Sequence, residues 1–476
     1  MIWSVLVKTA LQSSLPTGES ATLRRVPLRC SLAPGQVLGI LRDEPLPFLL
    51  AGAWAGGGAV VGADPLSVAP ADADPFAVLD RLPVLAGGEH LRGPAVGGGW
   101  FGWLGYRLAA LVERVPDGPP RPVVMPSFHL AYYDHVLRQD PAGRWWFEML
   151  WSAGRALALN RRLQRIRALL AVGEPSGVDE RGSAVSETPG PLRLSAAGAA
   201  AHLEAVRQAR RRIHAGEIFQ ANICLRLEAR WSGRMTDLFA RALARTSPAY
   251  GAVFDTPHGA IASLSPELFL RRRGRDVVTA PIKGTSRRDP DPARAAAALA
   301  RLRSSAKDAA EHVMIVDLMR NDLGRVCAYG SIHAEPEPTA EPHPGLWHLV
   351  SRVRGHLRSG VGDAELLRAT FPPGSVTGAP KVQSLRVIAE LERTGREVYT
   401  GAIGFASPVA GLELSVAIRT LELSGGRLWL GAGGGIVADS DPQRELEEAL
   451  LKAAPIAAAI GSSVLVEAGG RASRAA

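Results

Sequence analysis

The chain has 476 residues, of which 46% are hydrophobic and 21% charged, and this globular composition excludes disordered and fibrous proteins. Its length exceeds one ordinary domain of about 100 to 200 residues, so we expect two lobes or one large composite domain. The net charge of +9 comes from basic residues spread along the chain, which argues against nucleic-acid binding and favours a role in solubility or in attracting an anionic substrate.

The start of the chain predicts neither a secretory signal nor a membrane anchor. Apolar residues 1–7 are followed too soon by Lys8 and Gln12 for a signal sequence. The longest uncharged stretch, residues 46–63, contains Pro47 and five glycines, which suit strands and turns better than a membrane helix. Three widely separated cysteines provide neither a disulfide framework nor a metal-ligand spacing. We therefore expect a cytoplasmic protein that binds no membrane.

The first part of the chain, residues 1–171, alternates short apolar runs with turn residues. Residues 96–106 and 123–133 predict strands, and residues 153–170 predict a helix. Between residues 172 and 191 the composition changes to Gly, Ser, Glu and Pro without periodicity, which is typical of a linker. The second part of the chain is then residues 192–476.

The second part predicts an α+β unit. Its helices are expected at residues 199–215, 292–302, 305–323, 380–394 and 442–453. Its strands are expected at residues 218–229, 252–255, 260–263, 268–273, 277–280, 400–405, 413–422 and 427–432.

Lysine is scarce in this chain, with five lysines among the 55 basic residues. Because an ammonium group loses its proton far more readily than a guanidinium, a retained lysine is a candidate nucleophile. Lys283 follows a predicted strand in the sequence APIKGT, where apolar neighbours disfavour the charged form of its amine. A water-exposed lysine at the end of a strand explains the same pattern equally well.

Two predicted helices carry paired acidic residues. Asp308 and Glu311 are spaced i, i+3, as are Glu445 and Glu448, and Lys452 lies one turn further on. Two such pairs can hold a hard cation through oxygen ligands and leave positions for substrate oxygens, as Mg²⁺ sites do. Two solvated helix faces with ordinary ion pairs are the alternative, and spacing alone favours it.

Two glycine-containing segments indicate anion sites. Residues 374–381 (GSVTGAPK) predict a helix entrance with Pro380 in the first turn. Lys381 then lies at the positive end of the helix dipole, where a bound carboxylate would offset the repulsion unless the lysine bends into solvent. The amides of residues 431–437 can cradle a carboxylate or phosphate. Since no Walker sequence follows them, nucleotide hydrolysis is not expected.

Taken in order, these segments resemble the chorismate-utilising enzymes, the family that includes anthranilate, aminodeoxychorismate, isochorismate and salicylate synthases. The resemblance implies an α+β fold of layered antiparallel β-sheets covered by helices, and it extends more loosely to the N-terminal region. Its motifs span the second part of the chain and are residues 219–222 (FQAN), 265–267 (SPE), 281–285 (PIKGT), 310–322, 348–351 (HLVS), 374–381, 399–401 (YTG) and 433–452.

Within this family the third residue of Pro-Ile-x-Gly-Thr separates the reactions. Anthranilate synthases resemble one another in having alanine there and aminodeoxychorismate synthases in having lysine, which is Lys283 in this chain. The resemblance therefore implies formation of 4-amino-4-deoxychorismate, for 4-aminobenzoate and folate, through a covalent adduct of Lys283 at C2. Component I of anthranilate synthase is the nearest alternative. A Schiff-base enzyme and a non-catalytic subunit are more distant ones.

The resemblance also implies roles for other residues. Glu267 would be the general acid for the departing hydroxyl. Glu311 and Glu448 would hold Mg²⁺, supported by Asp308 and Glu445. The implied substrate-binding residues are His348, Thr377, Tyr399, Arg419, Gly433, Gly434 and Lys452.

Chorismate and ammonia are the implied substrates, and the ammonia source is a second protein. No Gly-x-Cys-x-Gly glutaminase element surrounds any cysteine of the chain, so a separate glutamine amidotransferase subunit (component II) is expected. Feedback-regulated anthranilate synthases carry Leu-Leu-Glu-Ser where this chain has LLAG at residues 49–52. Because both polar residues are missing, inhibition by tryptophan is not expected.

Overall fold

The computed structural model describes residues 20–86, 94–116, 118–121, 124–173, 188–289, 291–335, 337–343, 346–468 and 471–474. The α-helices in these ranges are α1 (Pro34–Leu41), α2 (Pro75–Leu79), α3 (Ala156–Gly173), α4 (Ala196–His214), α5 (Met235–Arg245), α6 (Pro292–Arg303), α7 (Ala306–Gly324), α8 (Asp363–Thr370), α9 (Lys381–Leu391) and α10 (Pro442–Ala459). Short 3-10 turns occur at Trp54–Gly56, Tyr106–Leu111, Ala153–Arg155 and Gly374–Val376.

The strands of the N-terminal region are β1 (Ser20–Pro27), β2 (Phe48–Gly52), β3 (Gly58–Gly62), β4 (Ser67–Val68), β5 (Val84–Leu85), β6 (Gly99–Leu104), β7 (Phe128–Tyr133), β8 (His135–Gln139) and β9 (Trp145–Trp151). Those that follow are β10 (Leu192–Leu194), β11 (Gln220–Arg230), β12 (Tyr250–Thr256), β13 (Gly259–Ser265), β14 (Leu268–Arg273), β15 (Asp276–Ala280), β16 (Ile282–Arg287), β17 (His333–Ala334), β18 (Thr339–His343), β19 (Leu346–Val350), β20 (Val353–His356), β21 (Gly378–Ala379), β22 (Ala402–Ser407), β23 (Gly411–Val416), β24 (Thr420–Ser424), β25 (Arg427–Ile436), β26 (Val464–Ala468) and β27 (Arg471–Arg474).

These strands form two large sheets and one small one. The first sheet has the order β27-β26-β10-β11-β25-β24-β13-β12-β2-β3-β8-β9-β1-β5, with β21 paired to β11. The second has the order β17-β20-β15-β14-β23-β22-β6-β7-β4, and the third is β16-β19-β18. Pairing is antiparallel except between β1 and β5 and between β10 and β26. Strands from before residue 171 pair with later ones in both large sheets, through β2–β12 and β6–β22.

Aromatic side chains fill the space between the two large sheets. Phe48 on the first sheet stacks on Phe101 of the second, with ring centroids 4.5 Å apart. Phe254, on the neighbouring strand β12 of the first sheet, also stacks on Phe48, with ring centroids 5.4 Å apart. Such pairs add to the burial of apolar area that stabilises a layered fold. Helices cover the outer faces, with α1, α5 and α10 on the first sheet. The α+β fold class is therefore confirmed.

The structure corrects several element bounds. Residues 413–422 were expected to form one strand but form β23 and β24, because Arg419 adopts a φ of +51° and breaks the ladder. The strand expected from residue 400 begins at residue 402, since Thr400 also has a positive φ, +65°. Helix α9 is shorter than residues 380–394. The predicted linker lies largely outside the described residues, which resume at residue 188. No helix among the described residues is long and apolar enough to cross a membrane.

Candidate active site

The candidate site is built around the glycine end of β25, which pairs with β11 from Arg427 to Ile436. The strand expected at residues 427–432 extends further, to Ile436, and includes the glycines. A Cβ on Gly434 would lie 3.3 Å from Glu445 Oε2 and 3.5 Å from Lys452 Nζ. On the opposite face, a Cβ on Gly435 would lie 3.5 Å from Lys283 Nζ. The absence of side chains at these positions lets charged groups approach the strand from both faces.

Lys283 lies on β16 with acidic side chains on several sides. Burial of the amine lowers the pKa of Lys283, while the charges of Glu311, Glu267 and Glu448 oppose this shift. Lys452, a second cation, lowers the pKa of Lys283 further. A neutral amine, which is the nucleophilic form, is therefore more populated here than on a lysine in water.

Glu267 follows β13 and is held by its main chain. Its N–H donates to Ser265 Oγ at 3.2 Å, and its carbonyl accepts from the Val416 N–H at 3.0 Å. The side chain is 5% exposed, and burial raises the pKa of Glu267 to about 7 against the opposing effects of a Ser375 hydrogen bond and the Lys283 charge. Near neutral pH this carboxyl is partly protonated, as a general acid must be.

Arg419 lies in the break between β23 and β24 that its own positive φ creates. A left-handed backbone is costly for a residue with a side chain, so the surrounding structure must hold it. The main chain does so in part, because the Leu264 N–H donates to the Arg419 carbonyl at 3.0 Å. Burial lowers the pKa of Arg419, and the Glu267 carboxylate opposes that shift. The strand break therefore places a guanidinium near the candidate acid.

The acidic residues of α10 form a hydrogen bond and an ion pair within the chain. Glu445 is buried and accepts a hydrogen bond from Ser440 Oγ at 2.6 Å. Glu448 is about half exposed and pairs with Lys452 at 2.8 Å. Lys452 also donates to the Gly433 carbonyl at 3.1 Å. The two acids thus lie on the Gly434 side of the strand.

Carboxylate oxygens from two helices are the candidate ligands for Mg²⁺. Within the described ranges, no three side chains of the metal-binding types converge closely enough to form a complete cage. The side chain of Asp308 lies outside the description. The charges of Glu311 on α7 and Glu448 on α10 both act to raise the pKa of Lys283, so each carboxylate lies in the neighbourhood of that amine. Because Mg²⁺ takes oxygen ligands, usually keeps several waters and needs only one or two protein carboxylates, the chemistry of these donors suits the ion.

The other predicted substrate-binding residues lie at different distances from Lys283. His348 is buried on β19, in the strand next to β16, and pairs with Thr285 in that ladder. The Thr377 hydroxyl donates to the Gly374 carbonyl at 3.0 Å and so closes the turn before α9. The Tyr399 ring packs over Gly431, further along β25. The structure thus groups Lys283 with the acids and Lys452. The Thr377 carbonyl accepts from the Asn222 N–H at 2.7 Å, and Asn222 pairs with Gly435, so Thr377 also lies close to this group, whereas Tyr399 lies further along β25.

Gln220 is a site residue to which sequence reasoning assigned no role. Its side chain is 1% exposed, and its Nε2 lies against Gly435, 1.9 Å from where a Cβ would be. It therefore neighbours Lys283 across the same glycine. Its position in the FQAN motif at the start of β11, opposite the glycine run, was the available signal.

Lys381 also differs from the expectation. Its side chain neither waits for a ligand carboxylate nor points into solvent. Its Nζ donates to Asp322, to the Thr370 carbonyl at 2.7 Å and to the Pro372 carbonyl at 3.0 Å. The anion at this helix entrance is thus supplied by the chain itself.

Known proteins resemble this chain in both sequence and fold. A family model described as chorismate binding enzyme matches residues 62–458. The chain is 34% identical over 371 residues to aminodeoxychorismate synthase component 1 of Escherichia coli K12, covering 78% of each. It is 34% identical over 422 residues to anthranilate synthase component 1 of Streptomyces coelicolor, covering 84% of this chain and 80% of the relative. The crystal structure of anthranilate synthase component I from Streptococcus pneumoniae matches with a TM-score of 0.69, 26% identity and 93% coverage of both chains.

Proposed function

The chain belongs to the family of chorismate-binding enzymes, and we propose from this that it aminates chorismate at C4 to give 4-amino-4-deoxychorismate, as an aminodeoxychorismate synthase component I. The observation that carries the proposal is Lys283, a lysine of lowered pKa beside Gly435, with Glu267 close enough to act on its charge. A relative of that name, with 34% identity, supports the same activity. Ammonia would come from a glutamine amidotransferase subunit, and the product would serve 4-aminobenzoate and folate synthesis.

In the first step the neutral Lys283 amine bonds to C2 of the ring. The C1=C2 and C5=C6 double bonds move to C1=C6 and C4=C5, and the C4–O bond breaks. Glu267 gives its proton to the departing hydroxyl, which leaves as water. The adduct nitrogen carries the positive charge. This step replaces direct displacement of a poor leaving group by two easier substitutions.

In the second step ammonia bonds to C4 and the double bonds move back. The C2–N bond breaks, and Lys283 leaves as a neutral amine ready for another cycle. The new C4 ammonium returns a proton to the Glu267 carboxylate. Chorismate and ammonia are thereby converted to aminodeoxychorismate and water, with lysine and acid both regenerated.

The remaining charged groups position the anionic substrate. Mg²⁺ held by Glu311 and Glu448 would supply positive charge to the ring carboxylate. Lys452 and Arg419 are the other cations of the site, and both can bind a substrate carboxylate. The buried His348 would border the ring from β19.

The test is a product assay with purified protein, chorismate, Mg²⁺ and ammonium. We expect 4-aminobenzoate only after addition of the lyase that releases it, and we expect glutamine alone to give no product. Mass spectrometry after quenching with chorismate should find a ring adduct on the peptide that contains Lys283. Anthranilate fluorescence without the lyase would instead identify an anthranilate synthase.

A further inference from the structure

A cavity of about 800 Å³ lies beside the lysine site, where β11, β25 and α4 meet the loop after α9. Along one face of β25 the order is Trp429, then Gly431 under the Tyr399 ring, then Gly433 against Cys224, and finally Gly435 beside Lys283. Trp429 lines one end of the cavity, which extends along this face to Tyr399 and Cys224. These two side chains separate it from Lys283, which does not line it.

The lining carries an excess of positive charge. Its three acidic residues are Glu228, Glu392 and Glu467, whereas its arginines are Arg193, Arg226, Arg230, Arg393, Arg396 and Arg427. Arg230 and Arg393 are exposed at the mouth and form no ion pair with any part of the chain that the structure describes. Clefts lined by one sign of charge concentrate ligands of the other sign, so an anion is the expected occupant.

The floor of the cavity contains buried donors that no described residue satisfies. The Arg226 side chain is 8% exposed, and its guanidinium lies 4.5 Å from the centre of the Trp429 ring. Its Nη2 donates to Glu422 and to the Arg396 carbonyl, but its Nε and Nη1 have no hydrogen-bond partner among the described residues, and neither does Trp429 Nε1. A buried donor left unpaired destabilises the folded state, and a ligand that accepts from it would recover that cost.

The shape and chemistry of the cavity narrow the class of ligand. A volume of about 800 Å³ lies within the usual range of small-molecule sites and far exceeds the size of a phosphate ion. Apolar side chains, among them Leu194, Ala205 and Leu391, also line it. The free N–H donors of a guanidinium bind a carboxylate through charge-assisted hydrogen bonds. We propose that this cavity is a second binding site, separate from the lysine site, for an aromatic carboxylate.

The cavity is connected to the candidate active site through one carboxylate. Glu422 accepts from Arg226 on the cavity floor and from the Tyr399 N–H at 2.6 Å. A carboxylate ligand bound to Arg226 would compete with Glu422 for the guanidinium. Because Glu422 also accepts from the Tyr399 N–H, the Tyr399 main chain would then shift. If the proposed function is right, occupancy of this cavity alters the KM for chorismate.

The test is isothermal titration calorimetry of the full chain with 4-aminobenzoate and benzoate as probes, and with inorganic phosphate as a control. We expect one saturable site in the wild type and an equal one in Lys283→Ala, which alters only the lysine site. Arg226→Gln should weaken binding about tenfold or more, because it removes a charge-assisted hydrogen bond. Ala201→Phe, on α4 in the cavity wall, should weaken it as much by filling the space without changing charge.

Ala201→Phe decides the outcome if Arg226→Gln does not fold, which thermal unfolding would reveal. Unchanged affinity in Ala201→Phe, loss of binding in Lys283→Ala, or no saturable binding of either carboxylate by the wild type would each overturn the proposal. Competition by phosphate at equal concentration would also overturn it, because it would show a general anion site. Calorimetry needs no turnover, so failure of the proposed enzyme activity would leave this test intact.

Discussion

The regions around Lys283 and Lys381 use the same side chain for opposite purposes. Lys381 is 10% exposed and is fixed by the Asp322 carboxylate and two main-chain carbonyls. Lys283 lies beside a glycine, and burial lowers its pKa although three carboxylates act on it. The Asp322 carboxylate and two carbonyls hold the Lys381 side chain in place and give it a structural role. A cleft with dispersed charges makes the proton labile, which a nucleophile requires.

Replacing Lys283 should show the largest effect on activity. Lys283→Ala is expected to reduce formation of aminodeoxychorismate by roughly 10³-fold or more, because it removes the nucleophile. The folded protein should be no less stable, since burial disfavours the charged form of this lysine and the unfolded chain does not. The rate of 4-aminobenzoate release with the lyase and the thermal unfolding midpoint measure the two effects.

Lys283→Met is the matched control because it keeps the length of the side chain without the amine. It should be as inactive as Lys283→Ala. Near-full activity in either variant would contradict the covalent mechanism and leave the fold assignment untouched.

Replacing Lys381 should show the reverse pattern. Lys381→Ala leaves Asp322 buried without its cation, and breaking a buried pair in this way costs about 3–5 kcal/mol of unfolding free energy. Arg386→Ala, an exposed position on the same helix, should cost little. Denaturant unfolding of the three proteins measures this. Equal stability of Lys381→Ala and Arg386→Ala would remove the contrast between the two lysines.

The sequence predicted the catalytic region better than its surroundings. The family resemblance assigned Lys283, Glu267 and Glu448 to one site, whereas spacing alone favoured solvated helix faces for the acids and left Lys283 undecided. Local patterns also located the main helices of the second part. The family assignment is confirmed by the match over residues 62–458.

What the sequence did not predict depends on non-local contacts. The partner of Lys381 is Asp322, 59 residues earlier, and no local pattern links the two. The break at Arg419 follows from a backbone conformation that is rare for arginine, so alternation predicted an unbroken strand. Pairing of β2 with β12 and of β6 with β22 joins segments about 200 and 300 residues apart, beyond the reach of periodicity.

Replacing Glu448 tests whether a metal ion binds near Lys283. Glu448→Gln is expected to lower turnover by roughly 10²-fold and to abolish most of the dependence on Mg²⁺, because a carboxylate ligand is replaced by a neutral amide. Glu447→Gln is the control, since Glu447 is exposed on the same helix and is hydrogen-bonded to Gln443. Rates measured across a Mg²⁺ titration distinguish the variants. An unchanged titration in Glu448→Gln would exclude it as a ligand.

Replacing Ser375 should give the smallest effect on activity. It tests whether Glu267, near Lys283, is the general acid. Burial raises the pKa of Glu267 to about 7, and the Ser375 hydrogen bond holds it below the value that burial alone would give. A general acid acts only when protonated, so kcat/KM should fall as pH rises through about 7 in the wild type. Ser375→Ala removes the opposing hydrogen bond and should move this fall to higher pH, with only a several-fold change in maximal rate. A fall that stays in place, or moves to lower pH, would show that another group sets it and that Glu267 is not the acid.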